Sequence, residues 1–204
     1  MTKKDWLIDM IMRLAALLSI SWFAWQSWLA YDLSHKSTHL LLFVAEALTV
    51  GLILIAKPTN TRDASILPSL LTLCASFYFF VIWLDGGLEL ISQSTAQIIM
   101  FVGITLQVLA KIWIGRNFGL LPARRGLVST GPYSIVRHPI YLGYFITHMG
   151  FLFSNFSMHN LIVYAMLYAF QAGRIYYEEK KLSEWDDYKV YKQKVKHRII
   201  PGLI

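Results

Sequence analysis

Six apolar blocks, most of them close to the length of a bilayer crossing, dominate this sequence: residues 8–31, 39–56, 66–84, 95–114, 140–153 and 160–177. A helix needs ~20 predominantly apolar residues to span the hydrocarbon core. Only 15% of the chain is charged, against ~25% for ordinary soluble domains, which argues against a single soluble core. The expected fold is all-α: a multi-span transmembrane bundle of about six helices, with a cytoplasmic C-terminal amphipathic helix. The fifth block is short, and the first carries Asp9 and Arg13 near its start.

The loops agree with that count. With the N-terminus in the cytoplasm, Lys3, Lys4, Arg13, Lys57, Arg62, Lys111, Arg116, Arg124, Arg125 and Arg137 fall on the cytoplasmic side. So do all the basic residues from Arg174 through Arg198, leaving only Lys36 outside. This is the asymmetry of the positive-inside rule, and it puts both termini in the cytoplasm. The net charge of +7 then reflects attraction to anionic headgroups, and no nucleic-acid partner is needed to explain it. Cys74 is the only cysteine, so neither a disulfide nor a multi-cysteine metal site is expected. The first apolar run is too long for a cleaved signal peptide and reads as a retained span.

Pro58, Pro68 and Asp85-Gly86-Gly87 mark turns in the N-terminal half. Few residues there look chemical. From Arg116 the character changes to a basic loop, a last helical hairpin and a charged tail, so the expected division lies between residues 1–114 and 115–204. In the tail, Leu182, Trp185, Tyr188, Tyr191 and Val195 recur at helical spacing among Lys180, Lys181, Lys189, Lys192, Lys194 and Lys196. That pattern suits an interfacial helix or one packed on the cytoplasmic loops.

Chemistry concentrates in GPYSIVRHPIYLG, residues 131–143. Gly131-Pro132 is a turn signal, and Pro139 can begin a helix because its missing N–H costs nothing there. Arg137 and His138 therefore sit at a helix N-terminus, where free amides and the helix dipole favour an anion. Tyr141 and Gly143 lie one turn in, an aromatic surface beside a position where a ligand can approach the backbone. Interfacial anchoring would explain Tyr141 or Arg137 alone; the whole cluster favours a site.

A second cluster, Gln171, Arg174, Glu178 and Glu179, ends the sixth block. Arg174 and Glu178 share a helix face and can pair, whereas Glu179 is rotated away. Two adjacent acids would suit a positively charged ligand. Elsewhere, Glu46 reads as a hydrogen-bonded carboxylic acid holding helices together, in preference to a substrate contact. Lys111 is expected to snorkel. His148 is expected to be packed and hydrogen-bonded, with no partner at metal-site spacing.

On these residues the sequence resembles the isoprenylcysteine carboxyl methyltransferase family. The likeness rests on Leu127-Val128, Gly131-Pro132-Tyr133, Val136-Arg137-His138-Pro139-x-Tyr141-x-Gly143, Arg174-x-x-x-Glu178-Glu179-x-x-Leu182, Tyr188-x-x-Tyr191 and the ending Arg198-Ile199-Ile200-Pro201. It runs from about Gly115 onward. Phospholipid N-methyltransferases share parts of it, and membrane sterol reductases use a similar element with NADPH.

The resemblance implies a multi-span enzyme that binds S-adenosylmethionine in a cytoplasm-facing pocket and releases S-adenosylhomocysteine. By matching position, Leu127, Val128, Gly131, Tyr133, His138, Pro139, Tyr141 and Gly143 would cradle the cofactor. Glu178 and Glu179 would reach its amino or ribose groups, and Arg174 would orient the methyl acceptor. Arg116-Asn117-Phe118 resembles the segment preceding the pocket, which adds Asn117 to the acceptor side. Family members often have five spans, so the N-terminal half is not transferable.

The implied reaction is an in-line displacement needing no metal, with membrane lipids and a lipidic or amphipathic acceptor as partners. A carboxylate acceptor of the isoprenylcysteine type needs no base. An amine or thiol would, and Glu178 or the more distant Glu46 could supply one. The alternative is an NADPH-dependent reductase, with Arg124-Arg125 meeting the extra phosphate, but Glu178-Glu179 suit a cation better than a polyanion. A non-enzymatic scaffold would leave the polar clusters unexplained.

Overall fold

The computed structural model describes residues 3–56, 65–119, 121 and 123–202. Lys57, Pro58 and Arg62, used above for topology and turns, lie outside the described residues. Among those described there are seven α-helices and no strand beyond one isolated bridge. They are α1 (Lys3–Ser34), α2 (Ser37–Ile55), α3 (Ile66–Phe77), α4 (Gln93–Ile114), α5 (Pro139–Ser154), α6 (Met158–Leu182) and α7 (Asp186–Lys194).

The six apolar blocks correspond to α1–α6, with local chemistry setting the ends. Ser92 caps α4 by accepting from the Thr95 amide at 3.1 Å, and Ser157 caps α6 by accepting from Asn160 N at 3.0 Å. Gly115, at φ +48°, closes α4 by donating its N–H to Lys111 O. Pro139 opens α5. At 16 residues and 1.5 Å per residue, α5 is ~24 Å long, shorter than the ~30 Å hydrocarbon core.

The third block departs from expectation. It ends as an α-helix at Phe77, continues as a 3₁₀ turn over Tyr78–Phe80, and then becomes irregular, although the apolar run reaches residue 84. Side-chain amides from the α5–α6 turn hold this stretch. Asn155 and Asn160 both donate to Trp83 O, at 2.7 and 2.9 Å, and the Trp83 amide donates to Asn160 Oδ1 at 3.0 Å.

These bonds and the Leu88–Phe156 bridge collect residues 83–92 and 155–160 at one end of the bundle. The α1–α2 turn joins them there, through His39 to Leu84 O at 3.2 Å and Lys36 to Glu89 at 3.7 Å. At the other end lie the C-termini of α2 and α4, joined by Arg116 donating to Ile55 O at 3.3 Å, with residues 115–119 and 123–138 and the tail.

The helices α4 and α5 run against each other along glycines. A Cβ on Gly143 would lie 2.5 Å from Gln107 Cγ and 2.8 Å from Gly103 O, and one on Gly103 would lie 2.6 Å from the Thr147 amide. Small residues allow such a close approach. Outward faces stay apolar, as at Leu18, Trp25, Phe101 and Ile112. The stretches Ser37–Ile55 and Gln93–Asn117 are each long and apolar enough to cross a membrane.

Candidate functional site

Arg137 and His138 precede α5, and the chain's last turns return to meet them. The Arg137 amide donates to His197 O at 2.9 Å and the His138 amide to Arg198 O at 2.8 Å. Arg137 also donates from its guanidinium to Val195 O at 2.6 Å, to Lys196 O at 2.7 Å and to Glu179 at 2.7 Å. Glu179 further binds His138 at 3.3 Å and Arg198 at 3.1 Å.

The Glu179 side chain is only 3% exposed. Burial opposes its ionisation, but hydrogen bonds and charges from His138 and Arg137 outweigh that and hold the carboxyl at about 2. A depressed folded-state value makes this stabilisation complete above the ordinary carboxyl range, with loss as pH falls from about 4.5 toward 2. Thermal unfolding in detergent should therefore be flat for this group above pH 5 and fall steeply below 4.5, and Glu179→Gln should flatten that acid limb.

The tail helix covers this knot. Tyr188, Tyr191 and Val195 form a buried cluster with Leu182, so the aromatic stripe faces the protein. Tyr191 Oη donates to Tyr133 O at 2.7 Å, and burial pushes the Tyr191 hydroxyl up to about 12, which keeps it a donor. Arg124 pairs with Asp187 at 2.9 Å and lies 5.3 Å from the Trp185 ring, tying the basic loop to the tail. That guanidinium is engaged there, which weakens the phosphate-recognition role considered for it.

Beneath the tail lies a cavity with two chambers. Leu127, Val128, Leu182, Trp185, Tyr188 and Tyr191 line the outer one. Glu46, Thr49, Tyr141, Tyr144, Gln171 and Arg174 line the inner one. Asn117, Tyr133, His138 and Glu178 belong to both walls, so the chambers are adjacent across them. Tyr188 Oη, buried in the outer chamber, has no hydrogen-bond partner among the described residues, and the same holds for Gln171 Oε1 and Glu46 Oε2 of the inner one. Arg174 sits 5.8 Å from the Tyr141 ring.

The structure thus gathers Leu127, Val128, Tyr133, His138, Tyr141, Glu178, Arg174 and Asn117 around one cavity, and places four other expected residues elsewhere. Gly131, at φ +59°, lies against the Trp113 ring, where any Cβ would collide. Pro139 begins α5, and Gly143 faces α4 instead of a ligand. Glu179 faces the knot, with no part in the cavity wall. In the sequence Trp185 stood out only as part of a helical stripe, and Tyr188 and Tyr191 as that stripe and a family motif with no role assigned, yet all three line the outer chamber.

Lys111 also differs from expectation. Instead of snorkelling it is 3% exposed, donating to Thr49 Oγ1 at 2.9 Å, Gln107 Oε1 at 3.2 Å and Ala45 O at 3.3 Å. Three acceptors within the bundle satisfy its three N–H groups, which removes the drive toward the interface. His148 is packed as expected, bonded to Tyr78 and Tyr168 at 3.2 and 2.7 Å and stacked on Tyr164.

Residues 94–184 match the model of the Isoprenylcysteine carboxyl methyltransferase (ICMT) family. This stretch takes in α4, earlier than the expected boundary at 115, and stops before α7. A curated relative from Schizosaccharomyces pombe (strain 972 / ATCC 24843), named protein-S-isoprenylcysteine O-methyltransferase, is 33% identical over 112 residues. The aligned part is 50% of this chain and 47% of the relative, so the chain spans about half the length of the curated relative it matches.

Proposed function

We propose that this chain, whose residues 94–184 belong to the isoprenylcysteine carboxyl methyltransferase family, is an integral-membrane S-adenosylmethionine-dependent methyltransferase. Its acceptor is the carboxylate of an isoprenylcysteine-type amphiphile. The observation that carries the reading is the two-chambered cavity, with Glu178, His138, Tyr133 and Asn117 in the wall common to both chambers.

The outer chamber fits the cofactor. Trp185 and Tyr191 offer flat apolar faces for a purine, the unpartnered Tyr188 hydroxyl awaits a polar group, and Glu178 suits a positive charge. When bound, the cofactor would supply an electrophilic methyl group on a sulfonium sulfur. Arg174 would hold the acceptor carboxylate in the inner chamber by charge-assisted hydrogen bonds. No base is required, because the attacking oxygen is already ionised. With the outer-chamber residues holding the cofactor, that methyl would be available to the carboxylate that Arg174 orients, and the sulfur would leave as a neutral thioether. Alignment of the two groups can contribute up to ~7–11 kcal/mol, and the tail over the outer chamber helps to exclude water.

The inner chamber takes lining residues from α2 and α3 as well, including Glu46, Thr49 and Ala75. This supports residues 1–114 as the acceptor side and 115–204 as the cofactor side. Six spans with both termini cytoplasmic agree with the alternation of turns between the two ends of the bundle. The outer chamber then opens toward the cytoplasm, and the acceptor's tail enters from lipid.

Calorimetry on the detergent-purified protein tests the cofactor assignment. S-adenosylhomocysteine should give saturable heat at micromolar concentrations, and NADPH none. Heat with NADPH alone would replace this reading with the reductase one.

A further inference from the structure

The basic loop between α4 and α5 folds back on itself and brings one more arginine to the cavity. Gly126, at φ +142°, takes a backbone conformation open chiefly to glycine, and it lies against the Asn117 side chain. Its neighbour Arg125 lies over Gly119, where any Cβ would collide with the guanidinium. The absent side chain of Gly119 thus makes room for that guanidinium, which is half-buried and donates to Leu121 O at 3.5 Å. Arg125 lines both chambers, as Glu178 does.

The other arginines of the cavity wall have different duties. Arg124 pairs with Asp187, Arg137 gives its guanidinium to Glu179 and two tail carbonyls, and Arg174 lines the inner chamber alone. The wall common to both chambers therefore carries Arg125 for an anion and Glu178 for a cation. An α-amino acid presents both charges on a single carbon. A purine or a ribose presents neither, and a nucleotide phosphate would meet the arginine but be repelled by the glutamate. Resting on the cofactor assignment above, we propose that Arg125 binds the carboxylate of the cofactor's amino-acid end, whose ammonium faces Glu178. The planar guanidinium fork matches a carboxylate. That end of the cofactor hangs from the reacting sulfur, so holding it fixes the sulfur at the wall the methyl must cross.

Equilibrium binding to nanodisc-held protein, with no acceptor present, tests this. Two probes differ only in the carboxylate: S-adenosylhomocysteine and its decarboxylated form, S-adenosyl-3-thiopropylamine. Wild type should bind the first about tenfold tighter or more, the effect of one charge-assisted hydrogen bond. Arg125→Leu should bring the two affinities within about twofold of each other, by weakening S-adenosylhomocysteine alone. Arg125→Lys, which keeps the charge but loses the fork, should retain a ratio of about threefold. A merely structural role would weaken both probes equally and leave the ratio intact.

A wild-type ratio within twofold would overturn the proposal, as would a tenfold ratio surviving in Arg125→Leu. Should Arg125→Leu fail to fold, a tenfold ratio unchanged in Arg125→Lys would overturn it instead. In each of these cases S-adenosylhomocysteine still binds wild type, so the methyltransferase reading stands. Binding of neither probe to wild type would remove both.

Discussion

Arg137→Met is expected to lower stability by about 3–5 kcal/mol, the cost of leaving one partner of a buried ion pair behind. The side chains of Arg137 and Glu179 are each 3% exposed, so water cannot replace the lost guanidinium. The same substitution frees the carbonyls of Val195 and Lys196, releasing the tail that covers the outer chamber. Thermal unfolding in detergent should shift down by several degrees, and affinity for S-adenosylhomocysteine should drop at least tenfold. The double variant Arg137→Met with Glu179→Met should recover part of the unfolding temperature, because it removes a buried carboxylate left with only His138 and the more exposed Arg198 and Lys192 to balance it, but not the affinity. A single variant as stable as wild type would mean that the knot does not hold the tail.

Arg174→Leu should show the opposite split. Here the fold should hold and S-adenosylhomocysteine should bind within twofold of wild type, because Arg174 lines only the inner chamber. Methyl transfer should fall ~10²–10³-fold, the usual effect of losing one preorganised charge-stabilising donor. Most of that loss should appear as weakened acceptor binding and misalignment. Equal losses in cofactor affinity and transfer would instead place Arg174 at the cofactor.

Much of this architecture was legible in the sequence, because helix-forming apolar blocks need only local information. The end of α3 was not. Residues 78–84 read as a continued helix, but Asn155 and Asn160, some seventy residues away, capture the backbone of Trp83. Lys111 was misjudged for a similar reason: its acceptors include Thr49 and Ala45 on α2, which only the packing brings within reach.

The acidic pair is the most instructive. Glu178 and Glu179 are adjacent and ~100° apart on the helix, so one faces the cavity and the other faces the returning tail. Which is which depends on where Arg137 and Arg198 lie, and nothing local to α6 specifies that. Glycines misled in the same way. Gly131 and Gly143 sit within the right motif, yet their missing side chains make room for Trp113 and for α4.

The most direct measurement of the central claim is transfer of labelled methyl from S-adenosylmethionine by the purified protein in lipid nanodiscs. With S-farnesylcysteine as acceptor, the label should enter the organic phase as a base-labile methyl ester, and Arg174→Leu should abolish most of it. Saturable binding of S-adenosylhomocysteine with the label recovered only in base-stable N- or S-methyl products would contradict the carboxylate assignment.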